Sequence, residues 1–196
     1  MPPVVRQRPT QPPPPELTDQ ELLGRYRDGE EDAFDALYDR YRPRLVTYAA
    51  RLLGRVQDAE DLTTEAFVRL VERGPRTAEP GSLRGYLFTV LHRLCLDRLR
   101  RWERRGRLLQ WFGGAQARPS TPEAELVIGE RDAALQCAIG RLPAKHRSAI
   151  LLTYAEGMGS SDVGDVLGCT DQQVRSRLAY ARRLLRADLE AGDGDT

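Results

Sequence analysis

The chain has 196 residues, 40% of them apolar and 30% charged, with a formal net charge of +1. That length suits one or two domains, and no apolar run approaches the roughly 18 residues of a membrane span, so membrane insertion is not expected. The N-terminus lacks an apolar segment of signal-peptide type, which points to a cytoplasmic protein.

The near-neutral total hides an uneven distribution. Residues 16–35 hold eight acids against two arginines, residues 84–107 hold eight arginines against Asp97 and Glu103, and residues 171–186 hold five arginines against Asp171. Two basic islands in a neutral chain are two sites of phosphate attraction. Lys145 is the only lysine. Arginine suits bidentate contacts to phosphate and guanine, and a GC-rich coding bias explains the same usage equally well.

Residues 1–15 include seven prolines and read as an extended or disordered arm. Thr18-Asp19-Gln20-Glu21 is a capping box that opens a helix, with Gly29 as its stop. Phe34, Leu37, Tyr38, Tyr41, Leu45, Tyr48, Ala49 and Leu52 recur at helical steps up to Gly54, with Pro43 expected to bend the helix. Asp58 is placed to cap the next helix, whose apolar face is Leu62, Ala66, Leu70 and Val71. Ser82 then caps a long helix carrying Leu83, Tyr86, Leu87, Val90, Leu91, Leu94 and Leu99 inward.

By composition Gly106 to Pro119 is a linker, with Trp111 and Phe112 either docking it or packing locally. Thr121-Pro122-Glu123 starts another helix, with proline at the first helical position and Leu126, Ala133, Ala134, Cys137 and Ala138 as its stripe. Pro143 opens the next. Two helices around a glycine turn follow, and Thr170-Asp171-Gln172-Gln173 is a second capping box that starts the last helix at Asp171. Residues 191–196 form a polar tail. The fold class is all-α: two small helical domains joined by a flexible linker, with domains at 16–105 and 122–190 and the linker at 106–121.

The last pair is what a helix-turn-helix needs to place side chains in a major groove. Val174, Leu178, Ala181 and Leu185 mark the buried face of its second helix. Glutamine pairs bidentately with adenine and arginine with guanine, so Gln172, Gln173, Arg175 and Ser176 are the candidate base-edge contacts. Arg177, Arg182, Arg183 and Arg186 suit phosphates or solvent, and Tyr180 suits core or rim. In the long helix, arginines interleave with Tyr86, Phe88, His92 and Trp102. Positive charge with flat rings holds single-stranded DNA, where stacking contributes about 1–3 kcal/mol per base; a core role takes Tyr86 or Phe88, but not both plus Trp102.

The cysteines Cys95, Cys137 and Cys169 read as small buried thiols. His92 and Cys95 have a ligand spacing, but no second pair accompanies them, so no zinc site is expected. Neither His92 nor His146 lies near a nucleophile motif, and no phosphate-binding glycine loop is present. An enzyme is not expected, and no cofactor.

The order of motifs resembles bacterial RNA polymerase sigma factors of the extracytoplasmic-function (ECF) group. Asp35-Ala36-Leu37-Tyr38-Asp39-Arg40-Tyr41 is similar to the first helix of region 2. Asp58-Ala59-Glu60-Asp61-Leu62 with Glu65, Phe67 and Leu70 is similar to the segment that binds core polymerase. Leu83-Arg84-Gly85-Tyr86-Leu87 through Asp97-Arg98-Leu99-Arg100-Arg101 is similar to the segment that melts and reads the minus-ten element. Leu142-Pro143, Arg147, Gly157, Val163, Leu167-Gly168, Val174 and Ser176-Arg177-Leu178 are similar to region 4, which reads the minus-thirty-five element.

The resemblance implies core RNA polymerase, promoter DNA and an anti-sigma factor as partners, and a nucleoid-associated state within the holoenzyme. It implies Asp58, Asp61 and Glu65 as polymerase contacts, although a carboxylate at Asp58 is equally explained by the helix dipole. Tyr86, Arg93, Asp97, Arg100 and Arg101 are its minus-ten contacts. Gln172, Gln173, Arg175, Ser176, Arg177, Arg182 and Arg183 are its minus-thirty-five contacts.

The chain departs from the family pattern in several places. Tyr86 stands where Trp is common, Arg93 where Asn is common, Gln172-Gln173 where Gly-Thr is common, and Gly164 where Ala is common. With Gly159-Ser160-Ser161, Gly164 should make the first helix of the pair less rigid, since glycine costs about 1 kcal/mol against alanine. The alternatives are a stand-alone helix-turn-helix regulator with an N-terminal interaction domain, and a protein-interaction module such as a sigma decoy.

Overall fold

The computed structural model describes residues 17–73, 82–111 and 130–193; the side chains of 73, 106–111, 130–134 and 189–193 lie outside the description. The described residues form eight helices and one π turn, with no strand. By contact the chain divides at Tyr38/Asp39, and the helices of both expected domains from Asp39 onward fall in one unit.

In the first unit, α1 (Asp19–Arg27) starts with the reciprocal box at Thr18 and Glu21. The Glu21 carboxylate accepts the Thr18 amide at 2.7 Å, and that bond holds its pKa below the usual carboxylate range. Asp28 caps the helix C-terminus, and Gly29 then adopts φ +96°. The rings of Tyr26 and Phe34 meet at 5.1 Å, tilted.

Helix α2 (Glu31–Leu53) runs without interruption through Pro43. In the second unit Tyr41, Leu45, Tyr48, Ala49 and Leu52 of α2 are buried. Gly54 ends the helix at φ +73°. Helix α3 (Val56–Arg73) begins two residues before Asp58, so Asp58 sits inside the first turn and is not the cap. Its carboxylate instead meets Arg98 of the next helix and, at 3.8 Å, Arg55. Leu62, Ala66 and Leu70 are buried as the periodicity requires, but Val71 is not: adjacent residues on a helix point about 100° apart, and Leu70 holds the inward position.

Helix α4 (Leu83–Trp111) continues past Gly106, where composition placed the domain end. One glycine costs a helix only about 1 kcal/mol, and Arg107-Leu108-Leu109 favours continuation. Leu87, Phe88, Leu91, Leu94 and Cys95 fill its buried face. Phe88 packs edge-on against Tyr48 at 5.4 Å, so Phe88 is the core aromatic and Tyr86 stays half-buried. The expected linker from residue 112 and the Thr121 helix start lie outside the described residues.

Helix α5 (Glu130–Arg141) buries Ala138 and Ile139. Cys137 is exposed and Cys169 half-buried, so only Cys95 behaves as the buried thiol expected of all three; burial pushes its pKa up to about 12. Helix α6 (Ala144–Ile150) passes into a π turn, Leu151–Ala155. The wider turn leaves Tyr154 exposed and carries Glu156 inward. Helix α7 (Ser160–Leu167) ends on Gly168 at φ +61°, the left-handed cap that glycine adopts without strain. Helix α8 (Asp171–Asp193) follows.

Helix α4 packs on α3 and on α7, and α7 packs on α8. Three polar ties join α2 and α4 to the C-terminal helices. Arg44 reaches the Glu156 carboxylate at 2.9 Å, and Arg84 approaches it at 3.8 Å while donating to the Glu156 carbonyl. Arg147 donates to the Leu52 carbonyl at 2.9 Å and to the carbonyls of Gly140 and Leu142. The phenol of Tyr48 lies 2.9 Å from His92 Nδ1 and is hydrogen-bonded to Ser148.

Candidate polymerase and promoter surfaces

Asp61 and Glu65 lie on the exposed face of α3, and Glu65 pairs with Arg69 at 2.6 Å. Val68 and Val71, 47% and 49% exposed, extend that face. Acids beside exposed valines form a surface that a protein partner could cover. Asp58 does not belong to it: its carboxylate ties α3 to α4. Periodicity placed Val71 inward and did not single out Val68. Val68 was legible, because it falls outside the Leu62–Ala66–Leu70 stripe.

The arginines of α4 do not share one role. Arg84 turns to Glu156 and Arg98 to Asp58. Arg93, Asp97, Arg100 and Arg101 are exposed or half-buried, as is Tyr86. Steps of seven, four and three residues put Tyr86, Arg93, Asp97 and Arg100 on one face. Asp97 and Arg100 are 3.2 Å apart, and the Tyr86 hydroxyl donates to the Arg69 carbonyl at 3.5 Å. The guanidinium of Arg55 lies 5.0 Å from the Trp102 ring centre, a cation–π contact that accounts for Trp102 without a base.

His92 belongs to the interior. Burial pushes its pKa down to about 4, aided by the charges of Arg177 and Arg93. The imidazole is therefore neutral at pH 7. Among the described residues, no group of His, Cys, Asp and Glu side chains is placed to hold a metal ion.

In the helix-turn-helix, Gln172, Gln173, Arg175 and Ser176 are exposed at the start of α8. Gln173 also closes the capping box: its amide oxygen accepts the Thr170 amide at 3.1 Å, and its own backbone amide donates to the Thr170 hydroxyl at 3.2 Å. A bidentate adenine contact uses both ends of a glutamine amide, so at Gln173 it would compete with this cap for the side-chain oxygen; Gln172 is not part of the cap. Arg175 pairs with Asp171 one turn earlier, whose pKa is lowered by a hydrogen bond from Ser160 and by Arg175. Arg182 and Arg183 are exposed, and Arg177 is half-buried.

Tyr180 is a rim residue. It stacks between the His146 ring, 4.6 Å away, and the Arg183 guanidinium, 5.0 Å away. An open cleft beside α8 is lined by Lys145, His146, Gln173, Ser176, Arg177 and Tyr180. Lys145 and His146 come from α6, where no recognition motif marked them.

Gly164 changes meaning. A β-carbon there would lie 2.6 Å from the Cys169 carbonyl oxygen. The glycine admits the turn against α7, so the weak helix former is a packing requirement and not a loosened helix.

The Sigma-70 region 2 model matches residues 37–105, and the Sigma-70 region 4 model matches residues 132–185. The chain is 34% identical over 169 residues to the ECF RNA polymerase sigma factor SigE of Mycolicibacterium smegmatis, spanning 84% of this chain and 64% of that protein. It is 34% identical over 163 residues to the ECF RNA polymerase sigma factor SigL of Mycobacterium tuberculosis, spanning 79% and 88%. Among solved structures, CnrH in complex with the cytosolic domain of CnrY has a TM-score of 0.65 at 24% identity, covering 91% of this chain and 99% of that one. The sigma factor RpoE in complex with the anti-sigma factor NepR from Bartonella quintana has a TM-score of 0.64 at 24% identity, covering 80% and 96%. These two likenesses concern the fold. With both regions present in order and the SigL match spanning most of that relative, the chain belongs to the ECF RNA polymerase sigma factors of the sigma-70 family.

Proposed function

We propose that the chain binds core RNA polymerase and directs promoter-specific initiation, with 16–105 melting and reading the minus-ten element and 122–190 reading the minus-thirty-five element. The observation that carries this reading is the pair of polar stripes on separate helices. One runs along α4 from Tyr86 through Arg93 and Asp97 to Arg100 and Arg101; the other covers the start of α8. The first combines guanidinium charge with a ring able to stack on an unpaired base. The second presents amides and guanidinium groups at the start of a helix in helix-turn-helix arrangement.

Asp61, Glu65, Val68 and Val71 form the polymerase contact, and Asp58 supports it from behind by fixing α3 to α4. Gln172, Arg175 and Ser176 read bases. Gln173 holds the helix start, and Arg177, Arg182 and Arg183 hold phosphates. Charged, amide and aromatic groups of this kind serve binding, and the role is binding and not catalysis. The protein acts in the cytoplasm, on the nucleoid, with an anti-sigma factor as a further partner. Each surface alone binds weakly; joined, they gain from effective concentration.

Run-off transcription with purified core polymerase and genomic fragments tests this. The expected result is a small set of discrete start sites that depends on the added chain. Failure to form a complex with core, where a housekeeping sigma factor does so, rejects the reading and favours a stand-alone regulator.

A further inference from the structure

Glu156 is buried, yet its side chain belongs to the end of the π turn and its partners lie far away in sequence. Arg44 of α2 stands 112 residues before it and Arg84 of α4 stands 72 residues before it. Arg44 Nε donates to the carboxylate at 3.0 Å, its terminal nitrogen reaches the same residue's carbonyl at 3.5 Å, and Arg84 holds both groups from the other side. A carboxylate taken out of water against two part-exposed guanidinium groups joins the helices at a defined point, and removing the arginines leaves its buried charge unmatched. The Arg147 bond to Leu52 and the Tyr48–His92–Ser148 cluster lie along the same junction.

The junction sets how far apart the two promoter-reading stripes stand. Helix α7 packs on α4 and α8 packs on α7; packed helices lie about 8–10 Å apart, so the α4 and α8 axes are on the order of 20 Å apart. Arg93 of one stripe and Arg177 beside the other both lie close enough to His92 for their charges to act on its ring. Elements centred near minus ten and minus thirty-five are separated by about 25 base pairs, or roughly 85 Å of duplex at about 34–36 Å per turn. A molecule held this way reads one element at a time.

We propose that the Arg44–Glu156–Arg84 clasp is an intramolecular latch that holds the chain in a form unable to grip both promoter elements, and that it opens when the chain spreads on polymerase. This rests on the sigma-factor reading of the two stripes. The latch sets the fraction of free protein competent for assembly, and apparent affinity falls by that fraction. Its site is a two-arginine socket that receives a carboxylate; a regulator presenting an acidic side chain to Arg44 and Arg84 would compete with Glu156 for it.

The test uses full-length protein with Glu156→Arg, the isosteric Glu156→Gln, and the double exchange Arg84→Glu with Glu156→Arg. Small-angle scattering reads the spread of the free chain, circular dichroism reads its helices, and titration with core polymerase reads assembly. The latch predicts a larger radius of gyration for Glu156→Arg with helix content retained, and association with core at least about 5-fold tighter. Glu156→Gln should show the same direction to a smaller extent, and the double exchange should return both values toward those of the parent. Unchanged dimensions and unchanged core association in folded Glu156→Arg and Glu156→Gln overturn the latch, as does expansion without any gain in association. Binding of core by none of the proteins rejects the sigma-factor reading and the gating role with it, whereas equal binding by all rejects the latch alone.

Discussion

Gly164 and Cys169 approach so closely that a β-carbon on the glycine would stand 2.6 Å from the cysteine carbonyl oxygen. The Gly164 carbonyl also accepts the Cys169 amide at 2.9 Å, so the turn between α7 and α8 lies directly on α7. Backbone cannot move aside as a flexible side chain can. Gly164→Ala should lower unfolding free energy by about 1–3 kcal/mol through overpacking. A methyl group added to Gly140, in α5, would meet nothing within 4 Å, and Gly140→Ala should raise stability by about 0.4–1 kcal/mol. Urea denaturation of both variants checks the opposite signs.

Asp58 and Asp61 are one turn apart and should fail differently. Asp58→Ala removes the partner of Arg98 and Arg55, a loss of about 1–3 kcal/mol for charged hydrogen bonds. Asp61 is exposed, and Asp61→Arg should change stability by no more than about 0.5 kcal/mol while weakening core binding. A pull-down with core polymerase, paired with a melting curve for each variant, separates the two effects. Retained core affinity in Asp61→Arg would remove that residue from the polymerase surface.

Gln173 caps its helix, and of the two glutamines Gln172 alone is proposed to read bases. Gln173→Ala should lose the reciprocal bond to Thr170 and about 0.5–1 kcal/mol of stability. Gln173→Glu keeps an acceptor at that position and should retain the cap. Gln172→Ala should leave stability unchanged and relax discrimination at one base pair. A promoter library scored against all three is informative: the same base-pair change for Gln173→Glu as for Gln172→Ala would contradict the division.

His92 makes stability depend on pH. Its pKa falls from the ordinary value of 6.5 to about 4 on folding, chiefly through burial. The unfolded chain therefore binds a proton that the folded chain refuses between those values, so the stabilisation is complete above pH 6.5 and is lost as pH falls toward 4. At pH 5 the loss is roughly 2 kcal/mol relative to about pH 7.5. His92→Gln should remove that part of the slope, leaving only what the carboxylates contribute; parallel slopes for parent and variant would show that the imidazole is not responsible.

Most helix positions were legible because apolar periodicity is local. Leu45, Tyr48, Leu52, Leu87, Leu91 and Val174 were all placed inward by spacing alone, and all are buried. The two capping boxes were legible for the same reason, since donor and acceptor are three residues apart. Errors arose where a neighbour distant in sequence or a close backbone approach decided the outcome. Asp58 looked like a cap until Arg98 stood opposite, and Gly164 looked like a weakness until the Cys169 carbonyl stood over it. Glu156, beside a glycine, carried no mark of burial, because both its partners come from the other half of the chain. The division of arginines on α4 between structure and surface was hidden likewise, as a run of like residues does not say which ones have acids facing them.

Arg147 has a consequence for how the two halves can part. Its guanidinium serves the carbonyls of Gly140 and Leu142 near the end of α5 as well as that of Leu52 at the end of α2. One side chain thus finishes two helix ends that belong to different regions. Of these three bonds, the one to the Leu52 carbonyl crosses between the halves, while the two at α5 stay within the C-terminal helices. The end of α5 is thus closed by a bond set that does not depend on α2.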